Sequence, residues 1–196
     1  NNNKEVPKET DSSLVRLITL DPGHFHAALV QKSMYEGVDS TVYVFAPDGP
    51  EVKSYLAFIN DYNSRKENPT SWKEEVYTGP DYLEKMLATK PGNVVVISGN
   101  NRMKTEYIKK CIDADLNVLA DKPMAITKAG FDELKEAFAD AKKKNVLLYD
   151  IMTSRDEITN ILQKACSQSP ELVGGRQKGT LKDTAKVSES VHYFLK

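Results

Sequence analysis

Lys122 is the residue of this chain best placed to do chemistry. It stands in Asp121-Lys122-Pro123-Met124-Ala125, directly after Asn117-Val118-Leu119-Ala120, an apolar run that reads as a buried strand. Open α/β sheets bind ligands beyond the carboxyl ends of their strands. The proline restricts the backbone before it to extended conformations and so aims the lysine side chain. An amine held this way can hydrogen-bond an oxygen or exchange a proton with it. The same dipeptide also reads as a plain strand-to-loop turn. Its place at the end of a repeated strand–helix series favours the chemical reading.

A second cluster of polar groups lies in Asp21-Pro22-Gly23-His24-Phe25-His26, between the first apolar run and a helical stretch. A dinucleotide's pyrophosphate sits on such a turn when it carries G-x-G-x-x-G. Only the middle glycine survives here, as Gly23, the one that lets backbone approach phosphate. Asp21 takes the first position and brings a negative charge. His26 takes the third, where glycine permits close packing of helix on sheet. His24, Phe25 and His26 are candidate cofactor contacts, and either histidine can equally cap the helix or pack locally.

The same fingerprint asks for an acid about 20 residues on, to hold ribose hydroxyls. Asp48 is the nearest, in Pro47-Asp48-Gly49-Pro50, where an aspartate is also explained as a turn residue. No arginine follows it directly, although Lys53 is near, so NAD is favoured over NADP. The fourth apolar run ends in Ser98-Gly99-Asn100-Asn101-Arg102. Ser98, Asn100 and Asn101 suit contact with a nicotinamide ribose; Asn100 or Asn101 also reads as a helix N-cap. Asp121 and Pro123 flank the lysine as further cofactor contacts. Asp150 and Arg155 bracket the end of the sixth run and are candidate substrate contacts, although an arginine in a first helical turn also reads as solvated.

The elements that must position these groups alternate from residue 14 onward. Strands are expected at residues 14–20, 41–46, 75–78, 93–98, 117–120 and 146–151, and helices at 51–64, 80–89, 102–115 and 127–144, with Thr127 as an N-cap. The stretch after His26 reads as helix to about Tyr35. A polar insert, residues 65–73, carries the only tryptophan, Trp72. Single helices between strands imply right-handed crossovers and a parallel sheet. The fold class is therefore α/β, a doubly wound, Rossmann-like sheet over residues 14–154. Residues 1–13 read as a disordered linker, and residues 155–196 as a connecting helix followed by the β-prone beginning of another domain.

Composition bounds the partners. The chain has 196 residues, 40% hydrophobic and 28% charged, with net charge -1, which carries no basic excess for nucleic acid. Lys142-Lys143-Lys144 closes a helix, where cations favour the dipole. Cys111 and Cys166 have no metal-ligand spacing and read as buried apolar residues; no metal is expected. The polar N-terminus resembles what remains after a secretory or lipoprotein leader is removed. Location is left between extracytoplasmic, with membrane attachment only through such a leader, and cytoplasmic.

Together, Ser98-Gly99-Asn100 and Asp121-Lys122-Pro123-Met124-Ala125 resemble the "T-P-N … E-K-P-x-A" of the glucose–fructose oxidoreductase / inositol dehydrogenase (Gfo/Idh/MocA) family, with Asp121 in place of glutamate. The tail Ser188-Glu189-Ser190-Val191-His192-Tyr193-Phe194 is similar to that of a bacterial subgroup. The resemblance implies an NAD(P)-binding Rossmann domain and a C-terminal α+β domain carrying the substrate pocket and a homo-oligomer interface. It also implies hydride transfer at a sugar or polyol carbinol, with Lys122 as the active-site lysine. The family's aspartate–histidine pair from the second domain has no matching segment, so the chain looks like the Rossmann part of a longer protein. Two other functions stay open: a non-catalytic nucleotide- or carbohydrate-binding protein with a worn site, and a glycosidase-like enzyme that recycles bound NAD.

Overall fold

Runs such as Leu17-Ile18-Thr19-Leu20, buried at every position, need cover on both faces, and helical crossovers between parallel strands supply it. In a computed structural model, which describes residues 14–152, 157–174 and 178–183, six strands do this: β1 (Leu17–Leu20), β2 (Thr41–Phe45), β3 (Lys73–Tyr77), β4 (Val94–Ile97), β5 (Asn117–Asp121) and β6 (Leu148–Ile151). Every pairing is parallel and the order is β3-β2-β1-β4-β5-β6. The order reverses between β1 and β4, the place where doubly wound sheets open a crevice.

Five helices belong to this unit: α1 (His26–Leu29), α2 (Pro50–Ser64), α3 (Tyr82–Thr89), α4 (Lys104–Asp113) and α5 (Lys128–Lys144). Strand alternation divides the core. Ile18, Leu20, Val95, Ile97, Val118 and Ala120 pack with Met86 of α3, Tyr107, Ile108 and Cys111 of α4, and Leu134 and Ala137 of α5. Leu17, Val42, Val44 and Val96 pack on the other face with Ala27 and Ala28 of α1 and with Val52, Tyr55 and Ile59 of α2. The Thr127 side chain accepts from Gly130 N at 3.0 Å and caps α5 as expected. At the far end Lys144 donates to Asp113 O and Asp115 Oδ1, both at 2.8 Å.

Three expectations are corrected. The first helix stops at Leu29 rather than near Tyr35, because Gln31 is fully buried and bonded away from the helix axis. Its carbonyl accepts from Trp72 Nε1 at 2.7 Å, its Nε2 donates to Glu74 Oε1 at 2.7 Å, and its Oε1 accepts from the Tyr55 hydroxyl. Trp72 is accordingly a core residue, 3% exposed, although it lies in the stretch read as a polar insert. Of the two cysteines only Cys111 is buried; Cys166 is exposed.

The chain divides into Asn1–Ile151 and a second unit, Met152–Lys196. The latter contains α6 (Ile158–Ser167) and α7 (Pro170–Val173). Of the stretch 174–179, read as β-prone, residues 175–177 lie outside the described residues. Arg155, the N-terminal linker and the tail around His192 lie outside the described residues. Among the described residues no helix is long and apolar enough to cross a membrane.

Burial pushes the Cys111 thiol up to about 12, so it carries almost no thiolate at neutral pH. Alkylation of the native protein, mapped by peptide mass, should label Cys166 quickly and Cys111 only after denaturation; fast native labelling of Cys111 would contradict this core. Gln31→Ala removes the acceptor of the buried Tyr55 hydroxyl, which keeps only the Thr19 hydroxyl at 3.2 Å, and should cost about 1–3 kcal/mol in chemical denaturation.

Candidate functional site

The carboxyl ends of β1, β4 and β5 meet through backbone first. Gly23 N and His24 N both donate to Ser98 O, at 2.8 and 3.2 Å. A β-carbon on Gly23 would stand 3.3 Å from Gly99 Cα, and one on Gly99 would run into the Gly23 backbone. Gly99 also has φ +129, a conformation that glycine alone adopts easily. The two turns after β1 and β4 therefore lie back to back; that contact requires glycine at 99 and leaves a β-carbon at 23 only a tight fit. Two N–H groups of the loop are spent on Ser98.

Asp21 takes the left-handed conformation, φ +45, that the first fingerprint glycine would adopt, and aspartate tolerates it better than most residues. Its Oδ2 accepts from Tyr107 OH and from Asn100 Nδ2, each at 2.9 Å. Burial holds the Tyr107 hydroxyl far above its ordinary range, so it remains a donor; it also bonds the Tyr82 hydroxyl at 2.5 Å. The negative charge expected to oppose phosphate is tied into α4 and lines neither of the cavities described below.

The second knot is Asp121, 2% exposed at the last position of β5. His26 Nδ1 lies 2.9 Å from Oδ1, His24 Nδ1 3.2 Å from Oδ2, and Ser98 Oγ donates to Oδ2 at 3.3 Å. Its carbonyl accepts from Lys104 Nζ at 3.1 Å, and that amine also donates to Asn101 Oδ1 at 2.8 Å. Lys104 is wholly buried; burial lowers its pKa and the Asp121 charge opposes the drop. Partial burial, then the His26 charge, lowers the pKa of His24. At the third fingerprint position an imidazole thus links α1 to β5 where a glycine would let the helix approach.

Two cavities flank the loop. One, about 240 Å³, is lined by Pro22, Phe25, Pro50, Glu51, Ser54 and Phe58 among others, and reaches onto α2. The other, about 280 Å³, is lined by Gly99, Asn100, Asn101, Asp121, Lys122 and Pro123 at the end of β5. Gly23 and His24 line both. Lys122 is exposed at this second cavity, and its amine has no hydrogen-bond or ion-pair partner among the described residues.

The expected site residues separate accordingly. Gly23, His24, Asn100, Asn101, Asp121, Lys122 and Pro123 come together, with Phe25 on the α2 side. Neither asparagine caps α4 through its side chain: the N-cap is Met103, Asn100 bonds Asp21 and Asn101 accepts from Lys104. Ser98 is fully buried with its hydroxyl on Asp121, so it lines neither cavity. Asp48 is exposed, pairs with Lys53 at 3.2 Å and stands outside the α2 cavity, whose acid is Glu51. Asp150 lies within β6, in register with Ala120. Sequence reasoning missed Lys104 and Tyr107. Their signal was present: 104, 107, 108 and 111 fall on one face of a helix, and a lysine on that apolar stripe needs buried partners.

An extended dinucleotide needs a side-chain-free turn at its middle and room on either side along the strand ends. The Gly23–Gly99 contact supplies the first, and the two cavities that share Gly23 and His24 supply the second. The residues present therefore fit an NAD-type cofactor, with an altered loop.

Residues 42–149 match the model of an oxidoreductase family with an NAD-binding Rossmann fold, Gfo/Idh/MocA. The chain is 57% identical, with a TM-score of 0.83 over 87% of its length, to a protein from Parabacteroides merdae assigned as an oxidoreductase with no named substrate, of which it covers 39%. It resembles in fold myo-inositol 2-dehydrogenase from Lactobacillus plantarum (15% identity, TM-score 0.57, 81% of this chain and 42% of that one). It also resembles the WlbA dehydrogenase from Bordetella pertussis, solved with NADH and UDP-GlcNAcA (12%, 0.59, 81% and 41%). No curated protein matches. The chain thus spans about two fifths of the length of these solved structures. With the glycine-backed cleft at the reversal of the sheet and Lys122 at its rim, the match over more than half its length makes this chain a member of the Gfo/Idh/MocA oxidoreductase family, carrying that family's NAD-binding Rossmann domain.

Proposed function

We propose that this chain is the cofactor-binding part of an NAD-dependent oxidoreductase acting on a carbinol of a sugar or polyol. The observation that carries the reading is the exposed, unpartnered amine of Lys122 at the cavity beside Asn100 and Asn101. A bound nicotinamide supplies the hydride chemistry. Lys122 holds the substrate oxygen by a hydrogen bond and manages its proton, the task of a positioned acid–base group. The Lys104 amine fixes the Asp121 carbonyl and Asn101 from behind, which steadies the rim on which Lys122 stands. The carbohydrate class of substrate rests on the family and on the sugar- and inositol-handling proteins of similar fold. The substrate pocket and the homo-oligomer interface belong, in this reading, to a further domain.

Glu51 supports NAD over NADP. The residue lines the cavity on α2 with Ser54, and a carboxylate beside a ribose repels a 2′-phosphate. One observation favours a binding protein instead: Gly23 N and His24 N are bonded to Ser98, and α1 is a single turn. Both features weaken the usual anion site of a Rossmann loop.

In the full-length protein Lys122→Ala should lower the rate of single-turnover hydride transfer by about 10² to 10⁴ with little change in NAD affinity. Lys122→Arg should not rescue it, because guanidinium gives up no proton at neutral pH. An unchanged rate in Lys122→Ala would remove the catalytic role, and calorimetry showing NAD bound without turnover of any sugar or polyol would favour the binding protein. Glu51→Ser should narrow the preference for NAD over NADP in competitive titration; an unaltered ratio would exclude Glu51 from the ribose.

A further inference from the structure

The densest group of potential metal ligands among the described residues is His24, His26 and Asp121, whose donor atoms all lie within 4.8 Å of one another. We propose that these three side chains form a binding site for a borderline divalent metal ion of the Zn²⁺ class. This inference does not depend on the NAD reading.

Four features of the cluster carry it. The spacing is right: His26 Nδ1 to Oδ1 is 2.9 Å and His24 Nδ1 to Oδ2 is 3.2 Å. Bonds of about 2.0–2.2 Å to one ion put neighbouring ligand atoms roughly 3 Å apart. The donor set of two imidazole nitrogens and one carboxylate, met by each imidazole at a different oxygen, suits zinc and its neighbours rather than calcium or magnesium. The carboxylate is buried and its oxygen Oδ2 accepts from Ser98 Oγ, the outer support that metal-binding carboxylates use. Finally, the cluster is open on one side. His24 is 40% exposed in its side chain and lines both cavities, so a three-ligand ion there keeps positions for water or for an oxygen of a cleft ligand.

The surrounding charges set the strength. Lys104 and Lys122 both act on His24, and the Lys104 amine bonds the Asp121 carbonyl rather than its carboxylate. A dication enters against these two ammonium groups, with Asp121 as its only charged ligand. The site is accordingly weaker than a closed four-ligand one and exchanges its ion with solution. The bland account of the same distances is that both imidazoles simply hydrogen-bond Asp121.

The test uses the full-length protein carrying Cys166→Ser, which removes the exposed thiol as a rival ligand, after stripping with a chelator and without NAD. Zn²⁺ is titrated by calorimetry, and Co²⁺ serves as a spectroscopic probe. One equivalent of Zn²⁺ should bind, Co²⁺ should give visible ligand-field bands, and His24→Ala and His26→Ala should each weaken Zn²⁺ binding by about 10- to 100-fold. Circular dichroism checks that each variant folds. His24→Ala, at the exposed member, keeps the test valid where His26→Ala does not fold. Absence of stoichiometric Zn²⁺ uptake, or uptake unchanged in His24→Ala, would overturn the site and leave a hydrogen-bonded cluster.

Discussion

A buried carboxylate at the end of a central strand governs the functional end of this molecule. Desolvating Asp121 is costly unless its oxygens are met, and they are met from three directions: by the two histidines of the loop after β1, by Ser98 at the end of β4, and at its carbonyl by Lys104 from the first turn of α4. Each partner is thereby fixed relative to β5. Lys122 is the next residue, so its direction is inherited from this network.

Beside that knot lies a contact with no side chains at all. Gly23 and Gly99 bring two loops together, and the N–H groups of Gly23 and His24 close the gap between β1 and β4 by donating to Ser98 O. Asp21 does a similar job one step earlier, joining the loop to Tyr107 and Asn100. Elements that are distant in sequence are therefore tied at the crevice by short polar links, while the sheet beneath is held by apolar packing. The crevice is the place where the structure departs most from a plain glycine-rich loop.

The sheet was legible because strand-like runs, five of them largely apolar, each separated by one helical pattern, admit few arrangements, and Val94-Val95-Val96-Ile97 announces a strand covered on both faces. Lys122 was legible for the same reason, as a polar group at a strand end. What the sequence hid were pairings across long separations. Nothing near Gln31 indicates that Trp72 and Tyr55 will take its polar groups and end α1 early. Asp121 read as a neighbour of the lysine rather than as the partner of His26, 95 residues away. Asp48 satisfied a spacing rule, but its turn is exposed and Glu51 faces the cavity instead.

His26 also constrains how this sequence can drift. Returning it to the fingerprint glycine would remove an imidazole that sits 2.9 Å from a carboxylate 2% exposed, leaving that charge short of a partner in a region where water enters poorly. Lengthening Asp121 to the glutamate of the family's motif would push a carboxylate toward the same imidazole. Neither change is expected to be neutral alone, and the histidine and the aspartate should then be epistatic. A lineage crossing between this loop and a glycine-rich one has to alter both positions, or pass through a less stable intermediate.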